Sequence, residues 1–247
     1  MDFDDTPAEA AFRAEARAFL AANAKLKDRS GPEARYGDTD EGDVAESKAW
    51  QRKKAEAGFA CITWPKDWGG RGGTIMEQII FNQEEANYAV PPNIFMIGLG
   101  MCLPAFITYA KPDQIAARVP PAVRGDQVWC QLFSEPSGGS DVAGLRTRAE
   151  KQGNEWVLNG QKIWTSGAHY SAWGLIIVRT DPNVAKHSGL TAFFIDMKTP
   201  GIEVRPIHQM SGASNFNEVF FTDVRVPDEN RFGRRGRRLE SCHYHAR

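Results

Sequence analysis

Hydrophobic positions recur with a helical period in the first part of the chain and with a strand-like period in the second part. Phe12, Ala16, Phe19 and Leu20 are spaced to share one face of a helix. Just before them, Thr6-Pro7-Ala8-Glu9 combines a capping box with a proline at the first helical position. This pattern predicts an amphipathic helix near the amino end of the sequence.

Further helical segments follow before residue 125. A helix is predicted from Asp43 to Ala57, another from Thr74 to Asn87, and an apolar one from Ile94 to Ala110. Between the first two lies Thr63–Gly73, which contains two tryptophans and four glycines. Because the glycines preclude regular structure and the tryptophans require packing partners, this segment is expected to be an ordered loop.

The period changes to two from Gln127 onward. Val128, Cys130 and Leu132 alternate with residues of the opposite face, and short strand candidates separated by turn signals follow. These candidates are Leu175–Arg179, Thr191–Asp196, Ile202–Ile207 and Val219–Val226. Gly153-Asn154 and Asn159-Gly160 are both predicted to form two-residue hairpin turns, since these residue types tolerate positive φ.

The predicted fold class is therefore α+β with several domains. Residues 1–125 are expected to form an all-α domain and residues 126–232 an antiparallel β-barrel, followed by a basic tail at 233–247. No helices are predicted between the strands, which argues against a doubly wound nucleotide-binding fold. Walker A, GxGxxG and HExxH patterns are also absent from the sequence.

Composition and charge exclude several classes of function. The 247 residues are 42% hydrophobic and 25% charged, which is typical of a globular protein, and the net charge of −1 gives no general attraction to nucleic acid. No apolar run reaches membrane-spanning length and the amino terminus is acidic, so a cytoplasmic location is expected. The four cysteines and five histidines show no metal-ligand spacing, and no metal site is predicted.

One loop and one hairpin carry the candidate chemistry. Leu132–Asp141 ends a strand in a loop rich in serine and glycine, whose bare backbone N–H groups and hydroxyls are suited to holding a phosphate. Lys162–Gly167 presents an indole beside two hydroxyls. Taken alone, the loop is more often an ordinary strand connection, and the tryptophan is more often a core residue.

The order and separation of these two segments resemble the middle domain of the acyl-CoA dehydrogenases. In that family, a Glu-Pro-x-x-Gly-Ser-Asp type of loop precedes a Lys-x-Trp-x-(Ser/Thr) hairpin, and here the two are Glu135–Asp141 and Lys162–Gly167. The resemblance extends to Trp64-Pro65 with Gly69-Gly70, and to Phe220–Pro227. It covers roughly Ala8 to Gly233, with the four segments in family order.

The resemblance implies that FAD binds noncovalently to the second domain. Gln131, Leu132, Phe133 and Ser134 would line the pyrimidine side of the flavin, and Gly139 and Ser140 would approach the pyrophosphate. Trp164 would pack against the ring with Thr165 and Ser166 beside it, Ser166 lying near N5, while Ser140 would also contact the CoA of the substrate. The implied reaction oxidises an acyl-CoA to a 2,3-enoyl-CoA, and an electron-transfer flavoprotein-type acceptor takes the electrons.

The family places its catalytic glutamate in a third, helical domain that also forms the oligomer core. Nothing after Phe232 shows the required apolar periodicity, so the chain is expected to be truncated, to lack a catalytic residue and to retain FAD weakly. The tail at 233–247 carries five arginines and one glutamate, which leaves open a basic binding arm. A frameshift near Gly233 is the favoured hypothesis, since the tail can be back-translated to family-like sequence in another frame.

Three functions remain open at this stage. The first is an acyl-CoA dehydrogenase that forms homo- or hetero-oligomers when complete, with this chain itself inactive or dependent on a partner. The second is a noncatalytic subunit that binds FAD or CoA. The third is a flavin oxidase or monooxygenase of the same fold.

Overall fold

The computed structural model describes residues 4–28 and 41–232. Within these residues the chain divides into two compact units. One contains the residues up to Ile94 together with Ala116–Gln127, and the other contains Phe95–Ile115 and the residues from Val128 onward. The tail at 233–247, for which a frameshift or a basic arm was considered, lies outside the described residues.

The first unit is built on helices α1 (Pro7–Asn23), α2 (Glu41–Glu56) and α3 (Ile75–Glu85), with a short antiparallel pair, β1 (Lys25–Leu26) and β2 (Tyr88–Ala89). The predicted capping box of α1 is confirmed: the Thr6 N–H donates to Glu9 Oε2 at 2.7 Å, and the Thr6 hydroxyl accepts from the Glu9 N–H at 3.3 Å. Thr74 caps α3 in the same way. The predicted starts of both helices are therefore correct.

Aromatic side chains form the core of this unit. Phe59 and Phe81 stack with ring centroids 4.8 Å apart, and Phe12 meets Phe59 edge-on at 6.0 Å. The buried core cluster consists of Phe12, Ala16, Leu20, Trp50, Phe59, Ile62, Ile80, Phe81 and Tyr88. The inward-facing positions predicted for α1 are thus confirmed at Phe12, Ala16 and Leu20, while Phe19 is only partly buried and packs against the cluster.

The tryptophan- and glycine-containing segment at 63–73 is an ordered loop, as predicted. Trp64 and Trp68 meet edge-on at 6.3 Å, and the Gly72 N–H donates to Trp64 O at 2.7 Å. A Cβ on Gly70 would lie 2.3 Å from Trp64 O, so this close approach requires glycine.

The second unit begins with a π-helical turn at Gly98–Cys102 that continues into α4 (Leu103–Tyr109). Helix α5 (Pro112–Val123) starts in this unit and ends in the first one. It was not predicted, because Pro120 and Pro121 interrupt the helical signal. Both prolines keep their carbonyls in use, accepting from the N–H groups of Arg124 at 3.0 Å and Asp126 at 2.9 Å.

Seven strands form one sheet in the second unit: β3 (Trp129–Leu132), β4 (Arg148–Gln152), β5 (Glu155–Ser166), β6 (Trp173–Arg179), β7 (Leu190–Asp196), β8 (Ile202–Ile207) and β9 (Phe216–Pro227). Their order is β3-β6-β4-β5-β9-β8, and β7 also pairs with β6. The predicted fold class, helices followed by a β domain, is confirmed. The core of the sheet is apolar and includes Leu132, Leu158, Ile176, Phe193 and Val219.

The sheet is mixed rather than wholly antiparallel. The pairs β4–β5, β5–β9, β6–β7 and β8–β9 are antiparallel as predicted, but β3 runs parallel to β6 with Trp129 opposite Trp173. Parallel neighbours must be joined by a long crossover connection. Along the chain, the connection from β3 to β6 contains the β4–β5 hairpin. This connection was not visible in the alternation of residues.

One of the two predicted hairpin turns is wrong. Gly153, at φ +62, lies in the turn between β4 and β5 as predicted. Asn159-Gly160 instead lies inside β5, where a register shift places Asp223, at φ +49, in a bulge of β9. The Asn159 side chain donates to Asp223 Oδ1 at 3.0 Å and accepts from the Asp223 N–H at 3.0 Å, so it bridges the bulge rather than turning the chain.

Candidate functional site

The loop after β3 reverses direction immediately. The N–H groups of Glu135 and Gly138 each donate to the other residue's carbonyl at 3.0 Å, which closes a tight turn over Pro136 and Ser137. Beyond it, Gly139 and Ser140 are exposed. A strand that ends in such a turn leaves the small residues after it open to a ligand.

The Trp164 hairpin segment is a bulge in β5. Lys162 pairs with Val219 and Thr165 with Asn217, so two residues of β5 lie opposite one residue of β9. Trp164 occupies the bulge at φ +58 and is 57% exposed, and its ring meets Phe216 edge-on at 5.9 Å. A large residue at positive φ costs about 1–3 kcal/mol, and such strain is concentrated at functional sites.

A buried polar network holds the end of the bulge. Asn217, which is fully buried, donates to Thr165 O at 2.9 Å, and its Oδ1 lies 3.0 Å from His169 Nδ1. The Gly167 N–H donates to Asn215 O at 3.0 Å. The Thr165 hydroxyl is buried and has no hydrogen-bond partner among the described residues. The backbone after Trp164 is therefore fixed, while one hydroxyl remains unsatisfied.

A buried ion pair joins the loop to the bulge. Lys162 Nζ lies 2.9 Å from Glu135 Oε1 and donates to Phe133 O at 3.1 Å. One residue further along β5, the Ile163 N–H donates to Ser134 O at 2.9 Å. The carbonyls of the predicted site residues Phe133 and Ser134 thus contact Lys162 and Ile163, which directly precede Trp164.

The ionisation of this pair follows from its surroundings. Burial by itself raises the pKa of Glu135, but hydrogen bonds from the Arg146 N–H, from Lys162 and from Thr147 outweigh it and hold that pKa below its ordinary value. Burial lowers the pKa of Lys162, and the Glu135 carboxylate opposes the shift. Glu135 is therefore held as a carboxylate.

Sequence reasoning did not assign a role to Glu135 or Lys162. Both residues belong to the quoted motifs. Their opposite charges, each close to a predicted strand, were the sequence signal for an ion pair. The sequence did not reveal the strand register that turns Lys162 into the core, where 0% of its side chain is exposed. A lysine is almost never fully buried, so burial was not expected at this position.

Not every predicted site residue faces outward. Leu132 is fully buried in the sheet core, whereas Gln131, Phe133 and Ser134 are partly exposed. Gly139 lies beside Ser134, since a Cβ built on it would be 4.0 Å from the Ser134 hydroxyl. Ser166 is half-buried.

A basic cavity of about 450 Å³ lies in the same unit. Its lining carries Arg146, Arg148, Arg179 and Lys186 but one acidic residue, Glu150. Lys186 Nζ contacts the Asp141 carboxylate at 2.9 and 3.1 Å, which links this cavity to the end of the glycine-rich loop. The excess of positive charge suits an anionic group such as a phosphate.

Comparison with known proteins identifies the class. The acyl-CoA dehydrogenase N-terminal domain matches residues 6–126, and the acyl-CoA dehydrogenase middle domain matches residues 130–224. The chain therefore belongs to the acyl-CoA dehydrogenase family, as its motifs predicted.

Individual relatives extend this result. The chain is 45% identical over 191 residues to acyl-CoA dehydrogenase FadE34 of Mycobacterium tuberculosis, covering 75% of this chain and 27% of the relative. Among solved structures, the ChsE4-ChsE5 complex from Mycobacterium tuberculosis matches with a TM-score of 0.74 at 30% identity, covering 95% of this chain and 58% of that one.

The steroid acyl-CoA dehydrogenase Tcur3481-Tcur3483 matches with a TM-score of 0.75 at 26% identity, covering 95% of this chain and 59% of that one. The chain thus spans between about a quarter and three-fifths of the length of these proteins.

The described residues show neither a metal cluster nor a membrane-spanning helix. In the described part of the chain, no group of three or more histidine, cysteine, aspartate or glutamate residues is arranged to hold a metal ion. Across residues 4–28 and 41–232, no helix has the length and apolar character needed to cross a membrane.

Proposed function

We propose that this chain carries the flavin site of an FAD-dependent acyl-CoA dehydrogenase. The observation that carries the proposal is Trp164: a strained, exposed indole held at positive φ beside the glycine-rich loop. An exposed aromatic of this size, fixed by its backbone rather than by core packing, is suited to covering a flat ring. The family membership and the loop sequence point to the same ligand.

The arrangement of the surrounding groups fits a flavin. Strand β3 ends the path of the sheet, and the partly exposed Gln131 and Ser134 at its end offer polar groups to a ring edge. We assign the pyrimidine side to Gln131, Leu132, Phe133 and Ser134, with the buried Leu132 supporting the end of the strand from the sheet core. Exposed Gly139 and Ser140 leave room for the pyrophosphate.

The remaining assignments concern the reactive edge. Thr165 and Ser166 follow Trp164 directly, and the unsatisfied Thr165 hydroxyl shows that this end of the bulge has hydrogen-bonding capacity to spare. We assign Ser166 to N5, where a donated hydrogen bond stabilises developing negative charge. When bound, FAD supplies the hydride acceptor for oxidation of an acyl-CoA to the 2,3-enoyl-CoA.

No described carboxylate of the site is free to remove the substrate's α-proton. Glu135 is engaged by Lys162 and two backbone N–H groups, and Asp141 is engaged by Lys186. We therefore assign this chain's described residues to binding and orienting the cofactor and CoA, with Ser140 toward CoA, and assign none of them as the base.

Substrate and partners follow from the relatives. We propose an acyl-CoA substrate, an electron-transfer flavoprotein-type acceptor, and assembly with a second chain, as the name of the ChsE4-ChsE5 complex describes for that protein. Among acyl groups, a steroid-derived one is favoured by the likeness to the steroid enzyme Tcur3481-Tcur3483. A noncatalytic FAD- or CoA-binding subunit and a flavin oxidase or monooxygenase are the alternatives.

Titration of the full chain with FAD tests the central proposal. Quenching of flavin fluorescence should show saturable binding in wild type, and Trp164→Ala should weaken it at least about tenfold. Tyr109→Ala removes another exposed aromatic of the same unit and should leave binding unchanged. Equal affinity in the Trp164 variant would contradict the assignment.

The reaction is tested separately. Anaerobic addition of a steroid acyl-CoA to the FAD-loaded protein should bleach the flavin absorbance when a partner chain that supplies the base is present, and not in its absence. No bleaching under any of these conditions would favour a noncatalytic subunit. Rapid hydrogen peroxide formation in air would favour an oxidase.

A further inference from the structure

The Glu135–Lys162 ion pair differs from the other ion pairs in the described part of the chain. Its side chains are 5% and 0% exposed, whereas the next most buried pairs, Arg13–Glu84 and Lys54–Glu85, each keep at least one side chain more than 10% exposed. It also joins residues that are distant in sequence, one near the start of the loop after β3 and the other inside β5. This pair therefore links two segments from within the protein core.

The polar atoms of the pair are well satisfied. Glu135 Oε1 accepts from Lys162 Nζ and from the Thr147 N–H at 2.9 Å each, and Oε2 accepts from the Arg146 N–H at 2.6 Å. Lys162 Nζ also donates to Phe133 O at 3.1 Å. A buried network of this kind fixes geometry, because each displaced partner would leave a charged group without its hydrogen bond.

Stability alone does not explain the pair. Removing two charges from water costs about as much as their attraction returns, and an apolar pair of similar size is often equally stable. The ion pair adds a geometric constraint, because it fixes the Phe133 carbonyl and the 146–147 backbone relative to β5. The neighbouring bond from the Ile163 N–H to Ser134 O lies at the same junction.

The junction lies between the two parts of the proposed flavin site. Ser134 is the last residue before Glu135, and Trp164 is the second residue after Lys162. A shift of either charged side chain would change the separation between the loop at 134–140 and the bulge at 164–166. The loop is exposed at Pro136, Ser137, Gly139 and Ser140, and the bulge is exposed at Trp164.

We infer that Glu135 and Lys162 are positioning residues that fix the glycine-rich loop against the Trp164 bulge, and thereby preset the width of the flavin site. The inference rests on the proposed function for its ligand, but the positioning itself is a property of the protein without FAD. Neither side chain contacts the ligand directly, since both are buried.

A paired substitution separates positioning from simple stability. Glu135→Gln with Lys162→Met removes both charges, so no unpaired charge is buried, and the glutamine oxygen still accepts a backbone N–H. The matched control, Glu155→Gln with Arg225→Met, breaks an exposed ion pair of the same sheet. Glu135→Asp is a second test variant that keeps the charge and shortens its reach.

Two measurements are made on each full-length variant. Hydrogen exchange of the Ile163 amide in FAD-free protein reports on the junction, because neither substitution alters its acceptor, Ser134 O. FAD affinity reports on the site. We expect exchange at least about tenfold faster and FAD binding at least about tenfold weaker in the double variant, with a melting temperature near that of wild type. Glu135→Asp should change both in the same direction.

The outcomes discriminate between the two levels of the proposal. If wild type binds no FAD, the proposed function fails, and the Ile163 exchange still decides whether the pair positions the loop. If the double variant folds with wild-type Ile163 exchange and FAD affinity, the pair has only a structural role and the inference is overturned. Should the double variant not fold, Glu135→Asp decides by the same two readouts, and the control variant should match wild type in both.

Discussion

Thr165 and Thr147 are both buried threonines, but their hydroxyls differ in hydrogen bonding. Both are 1% exposed in the same unit, but the Thr147 hydroxyl donates to Gln161 O at 3.2 Å, whereas the Thr165 hydroxyl has no partner among the described residues. A valine substitution removes the hydroxyl with little change of shape. We expect Thr147→Val to lose about 1 kcal/mol of unfolding free energy and Thr165→Val to lose none, or to gain.

Urea unfolding of FAD-free protein measures this difference. The two variants act as controls for each other, since each replaces a buried threonine in a strand or directly before one. Equal losses would show that the Thr165 hydroxyl does have a stabilising partner. Because Thr165 also follows Trp164, a parallel FAD titration would show whether the unsatisfied group is kept for the ligand.

The residues of the site were predictable as types but not as contacts. The motif from Glu135 to Asp141 and the one from Lys162 to Gly167 were visible in the sequence, and their order indicated the family. The ion pair between Glu135 and Lys162 was not visible, because it depends on which face of β5 each residue occupies. A bulge at Trp164 changes that alternation, and no local signal marks it.

Gly160 lies where β5 passes close to Thr147, the residue before β4. It lies in β5 at φ +149, and a Cβ there would be 2.6 Å from Thr147 Oγ1 and 2.7 Å from Thr147 Cα. Gly153, in the turn before β5, has φ +62 and open space around its Cα. We expect Gly153→Ala to cost about 1–2 kcal/mol, the usual penalty of the left-handed region, and Gly160→Ala to cost clearly more.

Chemical denaturation of the two alanine variants measures the comparison. Gly153→Ala is the control for the backbone penalty alone. If both variants lost the same free energy, the contact between Gly160 and Thr147 would not be as close as the structure shows, and the register of β5 would need revision.

These glycines also show why elements were harder to predict than residues. Gly153-Asn154 and Asn159-Gly160 give the same local signal for a hairpin, yet only the first forms one. At the second position, pairing with β9 and the bulge at Asp223 override the turn preference. The same holds for α5, where tertiary packing maintains a helix through two prolines.

Glu84 on α3 should make the helical unit sensitive to acid. It contacts Arg13 Nη1 at 2.9 Å and Arg17 Nε at 2.9 Å on α1. The hydrogen bond from Arg17 lowers the pKa of Glu84 most, burial opposes it, and Arg13 lowers it further. Since the folded pKa lies below the unfolded one, the stabilisation is complete above the unfolded pKa and is lost as pH falls through the folded pKa.

Urea unfolding followed from neutral to acidic pH measures this effect by a signal from the helical unit. Glu84→Gln should be less stable than wild type at neutral pH, and its stability should fall less steeply below about pH 4.5, the usual range of a glutamate. Glu203→Gln, which breaks an exposed pair with Arg205, is the control and should follow the wild-type curve closely. Identical slopes for wild type and Glu84→Gln would refute the role of Glu84.

At the scale of the whole molecule, the change of period at residue 127 predicted the order of helices and strands. It did not predict which helices accompany the strands. Phe95–Ile115 belongs to the strand-containing unit, and its Phe106 lies 5.2 Å from Trp129 and 4.9 Å from Phe194, ring centroid to centroid. Such long-range aromatic packing leaves no periodic signal, because either unit offers an apolar surface to a helix.

The division into two units leads to a prediction about FAD. Every residue assigned to the flavin, from Gln131 to Ser140 and from Trp164 to Ser166, lies in the strand-containing unit. A ligand that binds only the folded form stabilises what it contacts, by about 2.7 kcal/mol at a hundredfold excess over Kd. We expect FAD to slow amide exchange in β3, β5 and β9 and to leave α1 and α3 unchanged. Exchange mass spectrometry with and without FAD measures this, with Trp164→Ala as the control that loses the strand protection. Equal protection of α1 and α3 would mean that the two units open together, and protection of the helices alone would contradict the assigned site.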